Sequence, residues 1–157
     1  MSTPAELVVA AAAAARTRIA AAESLTAGMV AAELATVPGA SAVLQGAVVA
    51  YQNSVKEHVL GVDGSLLRSA GSVDARVVEQ MAVGVRQLLR ADVGISTTGV
   101  AGPEPHDGKP VGTVFIGVAA ASGSSWREFH FTGDRASIRS QACDAALDLL
   151  AIELGAV

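Results

Sequence analysis

Apolar residues recur along the chain with the periods of both helices and strands. The clearest helical pattern follows Asp74, which is placed to cap it, and repeats every three or four positions. Its apolar stripe consists of Val77, Val78, Met81, Val85, Leu88 and Leu89. Comparable patterns predict a first helix with Pro4 in its first turn, a helix over Thr26 to Val37, and a last helix capped by Asp134.

Short apolar segments without regular polar alternation predict the strands. Three of them lie at Arg18–Glu23, Leu44–Tyr51 and Val93–Thr98. Two more, Gly112–Ala121 and Trp126–Phe131, flank a Ser-Gly-Ser-Ser turn and predict an antiparallel hairpin. Strands of this kind are expected to be covered on both faces. The order of elements predicts one domain over residues 1–157, an α/β fold: a three-layer α/β/α sandwich on a mixed, mostly parallel sheet of about five strands, one of them antiparallel.

Composition and charge narrow the classes of function. Hydrophobic residues make up 51% of the chain and aromatic residues only 3%, so the core must be built from Ala, Val, Leu and Ile. The formal net charge of −4, without a basic run, disfavours a non-specific nucleic-acid binder. The apolar run over residues 8–15 is too short to cross a membrane, and no basic residue precedes it, so neither a membrane anchor nor a signal peptide is expected. The single cysteine, Cys143, excludes an internal disulfide and fits a cytoplasmic protein.

Three predicted strands end in segments rich in polar residues and glycine. These segments are ESLTAG at 23–28, YQNSVK at 51–56 and TGVAGP at 98–103. In open α/β sheets, ligands bind outside the carboxyl ends of the strands. If the three strands are parallel neighbours, the segments meet at one crevice, and Thr98, Gly99 and Gly102 become candidate ligand-binding residues.

Ser24 lies between a strand and a predicted helix start, and two interpretations remain open. It could cap the helix, which is the usual role of serine at this position. Alternatively, Thr26 caps the helix and Ser24 is a nucleophile beside helix N–H groups that stabilise an oxyanion or hold a phosphate. Under the second interpretation Thr26 and Gly28 belong to the substrate site.

Lys56 is one of only two lysines among eleven basic residues. Unlike arginine, a lysine amine can lose its proton near neutral pH when its surroundings disfavour charge. With Asn53 as the cap of a short helix ending at Leu60, Lys56 falls in the first turn, where the helix dipole should lower its pKa. A serine–lysine pair is a known combination for acyl transfer. The alternative is a solvated surface lysine.

The remaining candidates have both structural and functional interpretations. Tyr51 could pack at the end of its strand or could polarise the serine–lysine pair. Arg135 and Arg139, one helical turn apart, could be solvated or could clamp an anionic group. The glycine-containing loop that follows Gly102 has the wrong spacing for a Walker A motif. The histidines and the cysteine lack metal-ligand spacing, so no metal or cofactor site is predicted.

Several ordered segments of the chain resemble the CinA C-terminal-domain family over roughly Leu7 to Leu150. The segments are AESLTAG at 22–28, VPGAS at 37–41, VAYQNSVK at 49–56, TGVAGP at 98–103, KPVGTV at 109–114 and FTGDR at 131–135. Motifs in this order and spacing are far more specific than any one of them.

The resemblance implies an amidase that converts nicotinamide mononucleotide to nicotinic acid mononucleotide and ammonia, without a metal. By that likeness Ser24 would attack the carboxamide carbon, and Lys56 would take the serine proton. Thr98 and the glycines after it would line the pocket, and an arginine or a helix N-terminus would meet the 5′-phosphate. A homodimer is a further expectation from the resemblance.

Two departures from the family pattern lie beside these residues. Leu25 and Ala27 stand where the family commonly has cysteine and glycine, and the family commonly has a more glycine-rich loop than the charged one that follows Gly102 here, over 103–109. They keep open a second hypothesis, a catalytically silent module that senses a nucleotide. A structural or interaction protein is a third.

Overall fold

The computed structural model of the chain describes all 157 residues. Its elements are, in order, α1 (Pro4–Ala15), β1 (Ile19–Glu23), α2 (Met29–Ala35), β2 (Leu44–Val49), α3 (Asn53–His58), α4 (Gly64–Ala70), α5 (Ala75–Leu88), β3 (Val93–Gly99), β4 (Thr113–Ala120), β5 (Gly123–His130) and α6 (Arg135–Glu153). A short 3₁₀ turn, Ala40–Ala42, precedes β2.

The five strands form one sheet in the order β2-β1-β3-β4-β5. β1 pairs in parallel with both β2 and β3, whereas β4 pairs antiparallel with β3 and with β5. β4 alone therefore runs against the other strands, which confirms the predicted mixed, mostly parallel sheet. The carboxyl ends of β1, β2 and β3 lie at the same edge, so the three polar segments that follow them are neighbours.

Helices cover both faces of the sheet, which confirms the three-layer α/β/α sandwich. On one face α1, α2 and α6 pack together over the largest apolar cluster. On the other face α5 packs across β1, β3, β4 and β5, and α4 adds Leu66 and Leu67 to the cluster there. Alternate residues of β1 supply both layers: Ile19 and Ala21 face the first, Ala20 and Ala22 the second.

The layer under α5 depends on two glycines in the sheet. A Cβ added to Gly94 of β3 would clash with the carbonyl oxygen of Ala82, and one added to Gly117 of β4 would lie 2.6 Å from that of Val78. Any larger residue at either position would push α5 away from the sheet. The close approach of α5 to the sheet also allows the Ser96 hydroxyl to donate to the Val78 carbonyl at 2.5 Å.

The predicted burial of every strand on both faces is wrong at the two edges of the sheet. β1 and β3 are buried along nearly their whole length, as expected. β2 alternates between half-buried and exposed residues, and nearly every residue of β5 is exposed. Both are edge strands, which lack a neighbour on one side. The sequence of β5 is largely polar and suits exposure, whereas the mainly apolar sequence of β2 does not reveal its place at the edge.

Several predicted helix boundaries are confirmed. Pro4 is the first residue of α1. The Asp74 carboxylate accepts from the N–H groups of Arg76 and Val77 at the start of α5. Asp134 likewise accepts from Ser137 at the start of α6.

Other boundaries differ from the prediction. α2 begins at Met29 and not at Thr26, because Ala27 and Gly28 adopt φ angles of +48° and +101° and form a turn. Asn53 does not cap α3: it is the first helical residue, and Gln52 precedes it without a side-chain capping bond. The seven-residue helix α4 was not predicted.

Candidate active site

Ser24 and Lys56 meet at the carboxyl edge of the parallel strands. Ser24 directly follows β1, and Lys56 lies on α3, which follows the neighbouring strand β2. Lys56 Nζ donates a hydrogen bond to Ser24 Oγ at 2.9 Å. Lys56 is 1% exposed and Ser24 is 9% exposed, so bulk water hardly reaches the contact. The fold thus brings together the two residues that the sequence singled out, and Lys56 is not a solvated surface lysine.

The bonds of the Lys56 ammonium prepare it to become a base. Besides Ser24 Oγ, it donates to the backbone carbonyl oxygens of Ala50 at 2.8 Å and Tyr51 at 3.1 Å. An ammonium has three N–H donors, and these three acceptors use all of them. When the amine loses a proton, its two remaining N–H groups can keep the two carbonyls. The lone pair then points at Ser24, whose hydroxyl can donate to it.

Burial also moves the amine toward its neutral form. Desolvation lowers the pKa of Lys56 from 10.5 to about 8, while the negative charge of Asp107 acts in the opposite direction. The sequence analysis attributed a lowered pKa of Lys56 to the helix dipole at the start of α3. Lys56 is the fourth residue of a six-residue helix, and burial is the leading cause.

The pH dependence of any reaction that uses this base follows from the sign of the shift. Only the neutral amine can accept the serine proton, so kcat/KM should rise with pH and level off above a pKa of about 8. A pH–rate profile between pH 6 and 9.5 measures this limb. A rate that falls as pH rises through 8 would contradict Lys56 as the base.

A substitution of Asp107 should shift the rising limb of the pH–rate profile. Asp107→Asn keeps an oxygen for the bonds that Ser72 donates but removes a charge that raises the pKa of Lys56. The limb should therefore shift to lower pH. Asp148→Asn, which removes an exposed carboxylate from α6, is the matched control and should leave the limb in place. An unshifted limb in Asp107→Asn would show that the two groups are not coupled.

A buried glutamate holds the turn that follows Ser24. The Glu23 carboxylate accepts from Val30 N at 2.9 Å, from Ala31 N at 3.1 Å and from the Thr26 hydroxyl at 2.6 Å. Glu23 is therefore the group that binds the first N–H groups of α2. This corrects both interpretations of Ser24: it is not a helix cap, and the N–H groups of α2 are not free for an oxyanion or a phosphate.

Thr26 and Gly28 do not take the substrate-binding roles predicted for them. The Thr26 side chain is fully buried, and its hydroxyl lies 2.8 Å from that of Thr97 as well as bonding Glu23. Gly28 forms the positive-φ turn before α2 and faces Val49. Neither residue lines the cavity beside Ser24.

Ala27, where the resembled family commonly has glycine, adopts a left-handed backbone conformation. Its φ of +48° is one that residues with a Cβ adopt at a cost of roughly 1–2 kcal/mol. Ala27→Gly should therefore raise the free energy of unfolding by up to about 1 kcal/mol, after the entropy that glycine loses on folding is subtracted. Chemical denaturation would measure the change. A less stable Ala27→Gly variant would show that the turn does not strain this position.

A cavity of about 460 Å³ opens beside the Ser24–Lys56 contact. This volume suits a small molecule of mononucleotide size. Its walls come from the segments after β1, β2 and β3, from the loop beyond Gly102 and from the start of α6. The lining residues are Ser24, Leu25, Tyr51, Gln52, Asn53, Ser72, Gly99, Val100, Ala101, Gly102, Pro103, Glu104, Pro105, His106 and Arg135.

Arg135 and Tyr51 stand together on the wall of this cavity. Arg135 Nη1 donates to the carbonyl oxygen of Gly102 at 2.6 Å, and Nη2 donates to the Tyr51 hydroxyl at 2.8 Å. A guanidinium has five N–H groups, so three remain for a ligand. The predicted candidates Tyr51, Gly99, Gly102 and Arg135 therefore do line one cavity with Ser24.

Thr98 and Arg139 act behind the cavity wall and not on it. The Thr98 hydroxyl donates to the Ser72 carbonyl at 2.8 Å, and Ser72 N and Oγ donate to the Asp107 carboxylate. This chain of bonds ties the end of β3 to the charged loop. Arg139 bonds the carbonyl oxygens of Leu25 and Thr26. The prediction that Thr98 and Arg139 line the substrate pocket is thus corrected.

Sequence reasoning missed the roles of Glu23 and Ser72. Glu23 did carry a signal, since it is a carboxylate at the end of an otherwise apolar buried strand. A charge in that position must be paired or hydrogen-bonded. The sequence contains no comparable signal for Ser72, which lies in a turn before α5.

Two further observations concern metal ions and membranes. The chain contains no group of three or more His, Cys, Asp or Glu side chains arranged to hold a metal ion. No helix combines the length and the apolar character that crossing a membrane requires.

Fold and site together define an α/β/α protein with a buried serine–lysine pair at the carboxyl edge of its parallel strands. The chain belongs to the CinA family: the family model described as "CinA C-terminal domain" matches residues 1–154. Solved structures agree. A CinA superfamily protein from Klebsiella pneumoniae superposes with a TM-score of 0.93 at 31% identity, covering 97% of this chain and 96% of that one. A competence/damage inducible protein from Agrobacterium tumefaciens gives 0.91 at 32% identity, with 99% of both chains covered.

Curated relatives are longer than this chain. A CinA-like protein of Frankia casuarinae is 48% identical over 132 residues, which are 84% of this chain and 30% of the relative. A CinA-like protein of an Anaeromyxobacter species is 48% identical over 152 residues, 95% of this chain and 37% of the relative. The chain therefore spans about a third of the length of these relatives.

Proposed function

We propose that this chain hydrolyses the carboxamide of nicotinamide mononucleotide, giving nicotinic acid mononucleotide and ammonia. The observation that carries the proposal is the 2.9 Å contact between Lys56 Nζ and Ser24 Oγ at the wall of a cavity of mononucleotide size. A buried amine with a pKa of about 8, touching a serine hydroxyl, is the arrangement that acyl transfer requires. The resemblance of the chain to nicotinamide-nucleotide amidases supplies the substrate.

The first half of the reaction forms an ester. Neutral Lys56 takes the Ser24 hydroxyl proton while Oγ bonds the carboxamide carbon, and the carbonyl oxygen becomes an oxyanion. The oxyanion collapses, the C–N bond breaks, and the Lys56 ammonium returns its proton to the leaving nitrogen, which departs as ammonia. An acyl ester on Ser24 remains, with Lys56 neutral again.

The second half repeats the pattern with water. Lys56 takes a proton from water as the water oxygen attacks the ester carbon. The bond to Ser24 Oγ then breaks, and Lys56 gives the proton back to that oxygen. The carboxylic acid product leaves and ionises. One base thus serves both halves, which suits a site with a single amine in contact with the nucleophile.

Arg135 is the group proposed to bind the 5′-phosphate. It lies on the wall of the same cavity and keeps three N–H groups beyond its bonds to Gly102 and Tyr51. A planar guanidinium matches the oxygens of a phosphate. Tyr51 would then position Arg135 through its hydroxyl.

The proposal is tested by ammonia release from nicotinamide mononucleotide, nicotinamide riboside and nicotinamide, with the acid product identified by mass spectrometry. The mononucleotide should have the highest kcat/KM. Arg135→Met should lower that value to about the level of the riboside, and should change the riboside rate little. Arg127→Met on the exposed strand β5 is the matched control and should behave as wild type.

Two outcomes would overturn the proposal. Equal rates on all three compounds would remove the phosphate from recognition and with it the assigned substrate. Thermal stabilisation by the mononucleotide without any ammonia release would favour the catalytically silent sensor, since binding alone raises the melting temperature.

A further inference from the structure

The loop over residues 103–109 forms one wall of the cavity beside Ser24. Its residues on that wall are Pro103, Glu104, Pro105 and His106. Two backbone hydrogen bonds between His106 and Lys109, of 3.1 and 2.9 Å, close the loop on itself. Asp107 and Gly108 form the tip between them, with φ angles of +51° and +72°. Positive φ at both central residues is what a type I′ turn requires, and Asp-Gly is a favoured sequence for it.

A single side chain ties this loop to the rest of the protein by hydrogen bonds. Ser72 N donates to Asp107 Oδ2 at 2.9 Å, and Ser72 Oγ donates to the same oxygen at 3.2 Å. No other residue over 103–109 has a hydrogen bond to a residue outside the loop. The bond from Arg135 to the carbonyl oxygen of Gly102 and the bond to that of Pro110 hold only the two ends. Asp107 is therefore the one polar anchor of this wall.

The turn before α5 provides both the space and the donors for the Asp107 carboxylate. Gly71 lies against it, and a Cβ added to Gly71 would be 2.6 Å from Asp107 Cγ. Ser72 is 7% exposed, and its own carbonyl oxygen accepts from the Thr98 hydroxyl at 2.8 Å. Because Ser72 also lines the cavity, its bonds to Asp107 join two parts of the cavity wall.

We propose that Asp107 is a positioning residue for ligand binding, which holds the loop over 103–109 in the conformation that forms the cavity wall by accepting from Ser72. The inference rests on the proposed amidase function only for the identity of the ligand. A wall that is in place before the ligand arrives does not have to be ordered on binding, so less affinity is lost. This role is separate from the effect of the Asp107 charge on Lys56, because a neutral side chain can keep the bonds to Ser72 without the charge.

Asp107→Asn and Asp107→Gly distinguish the anchor from the charge, because both remove the charge but only asparagine keeps an oxygen for Ser72. Both residues tolerate a positive φ, so neither substitution strains the turn. KM for nicotinamide mononucleotide should rise about tenfold in Asp107→Gly and stay within about twofold of wild type in Asp107→Asn, with similar kcat in the two variants.

The matched control is Arg90→Gly. Arg90 is an exposed residue with a φ of +53°, located before β3 at the opposite end of the sheet from the site. Its replacement by glycine should leave both KM and kcat as in wild type. The same rise of KM in Asp107→Asn and Asp107→Gly would show that only the charge matters, and would overturn the proposal. An unchanged KM in Asp107→Gly would overturn it as well.

A second test, amide hydrogen exchange of the free protein, does not depend on the substrate. The N–H groups of His106 and Lys109 bond only within the loop, so their exchange reports how firmly the loop is held. Both should exchange at least fivefold faster in Asp107→Gly than in wild type, and Asp107→Asn should restore most of the protection. If exchange behaves in this way but no ammonia is released, the assigned substrate is wrong while Asp107 still anchors the loop. Equal exchange in all three proteins would overturn the anchor itself.

Discussion

Lys56→Met is expected to lower kcat for ammonia release by about 10³-fold, because the substitution removes the only base in contact with Ser24. Methionine has nearly the volume of the lysine stem and suits a buried position. The carbonyls of Ala50 and Tyr51 lose their donor, which costs about 1–3 kcal/mol, while the penalty for burying a charge disappears. The free energy of unfolding should therefore change by no more than about 2 kcal/mol, and denaturant titration measures it.

Two further variants test whether Lys56 acts as a base or only as a positive charge. Lys56→Arg keeps a cation and its donors but cannot lose a proton near neutral pH, so it should be as inactive as Lys56→Met. Lys109→Met removes the only other lysine, which lies outside the cavity, and should keep wild-type turnover. An active Lys56→Arg variant would show that the site needs a positive charge and not a base.

Ser24→Ala should lower turnover by about 10³-fold or more while ligand binding survives, because the hydroxyl forms the bond to substrate but fixes little of the cavity. The backbone bond from Ser24 N to Thr97 does not depend on the side chain, and Lys56 keeps two of its three acceptors. Nicotinamide mononucleotide should therefore raise the melting temperature of the variant about as much as that of wild type.

The control for this substitution is Ser41→Ala, at an exposed position in the 3₁₀ turn before β2. It lies at the opposite end of β2 from the site and should leave both turnover and ligand stabilisation unchanged. Wild-type turnover by Ser24→Ala would mean that Lys56 activates water directly and that no ester forms.

The layered fold could be predicted because its signals are local. Apolar segments marked β1 and β3, and Asp74 and Asp134 marked the starts of the two longest helices. Parallel strands bring their carboxyl ends to one edge, so the rule for open α/β sheets was enough to place Ser24 near Lys56. Their spacing of 32 positions gave no hint of a contact by itself.

The hydrogen bonds that hold the turn after Ser24 in place could not be predicted, because they join segments that are distant in the sequence. Arg139 bonds the turn at Leu25 across more than a hundred positions, and a sequence pattern shows only that it lies one helical turn after Arg135. Two side chains one turn apart on a helix can still meet different partners, as these two do. Glu23 shows this most clearly. A buried carboxylate at the end of an apolar strand must accept hydrogen bonds, but the sequence does not indicate which groups donate them.

The central claim is that Ser24 Oγ attacks the carboxamide carbon, and mass spectrometry of protein quenched in acid during turnover of nicotinamide mononucleotide tests it most directly. The account predicts a fraction of the protein whose mass is increased by that of the substrate less ammonia, with the added group on the peptide containing Ser24 and absent from Ser24→Ala. An adduct on a different residue, or ammonia release by Ser24→Ala at the wild-type rate, would contradict it.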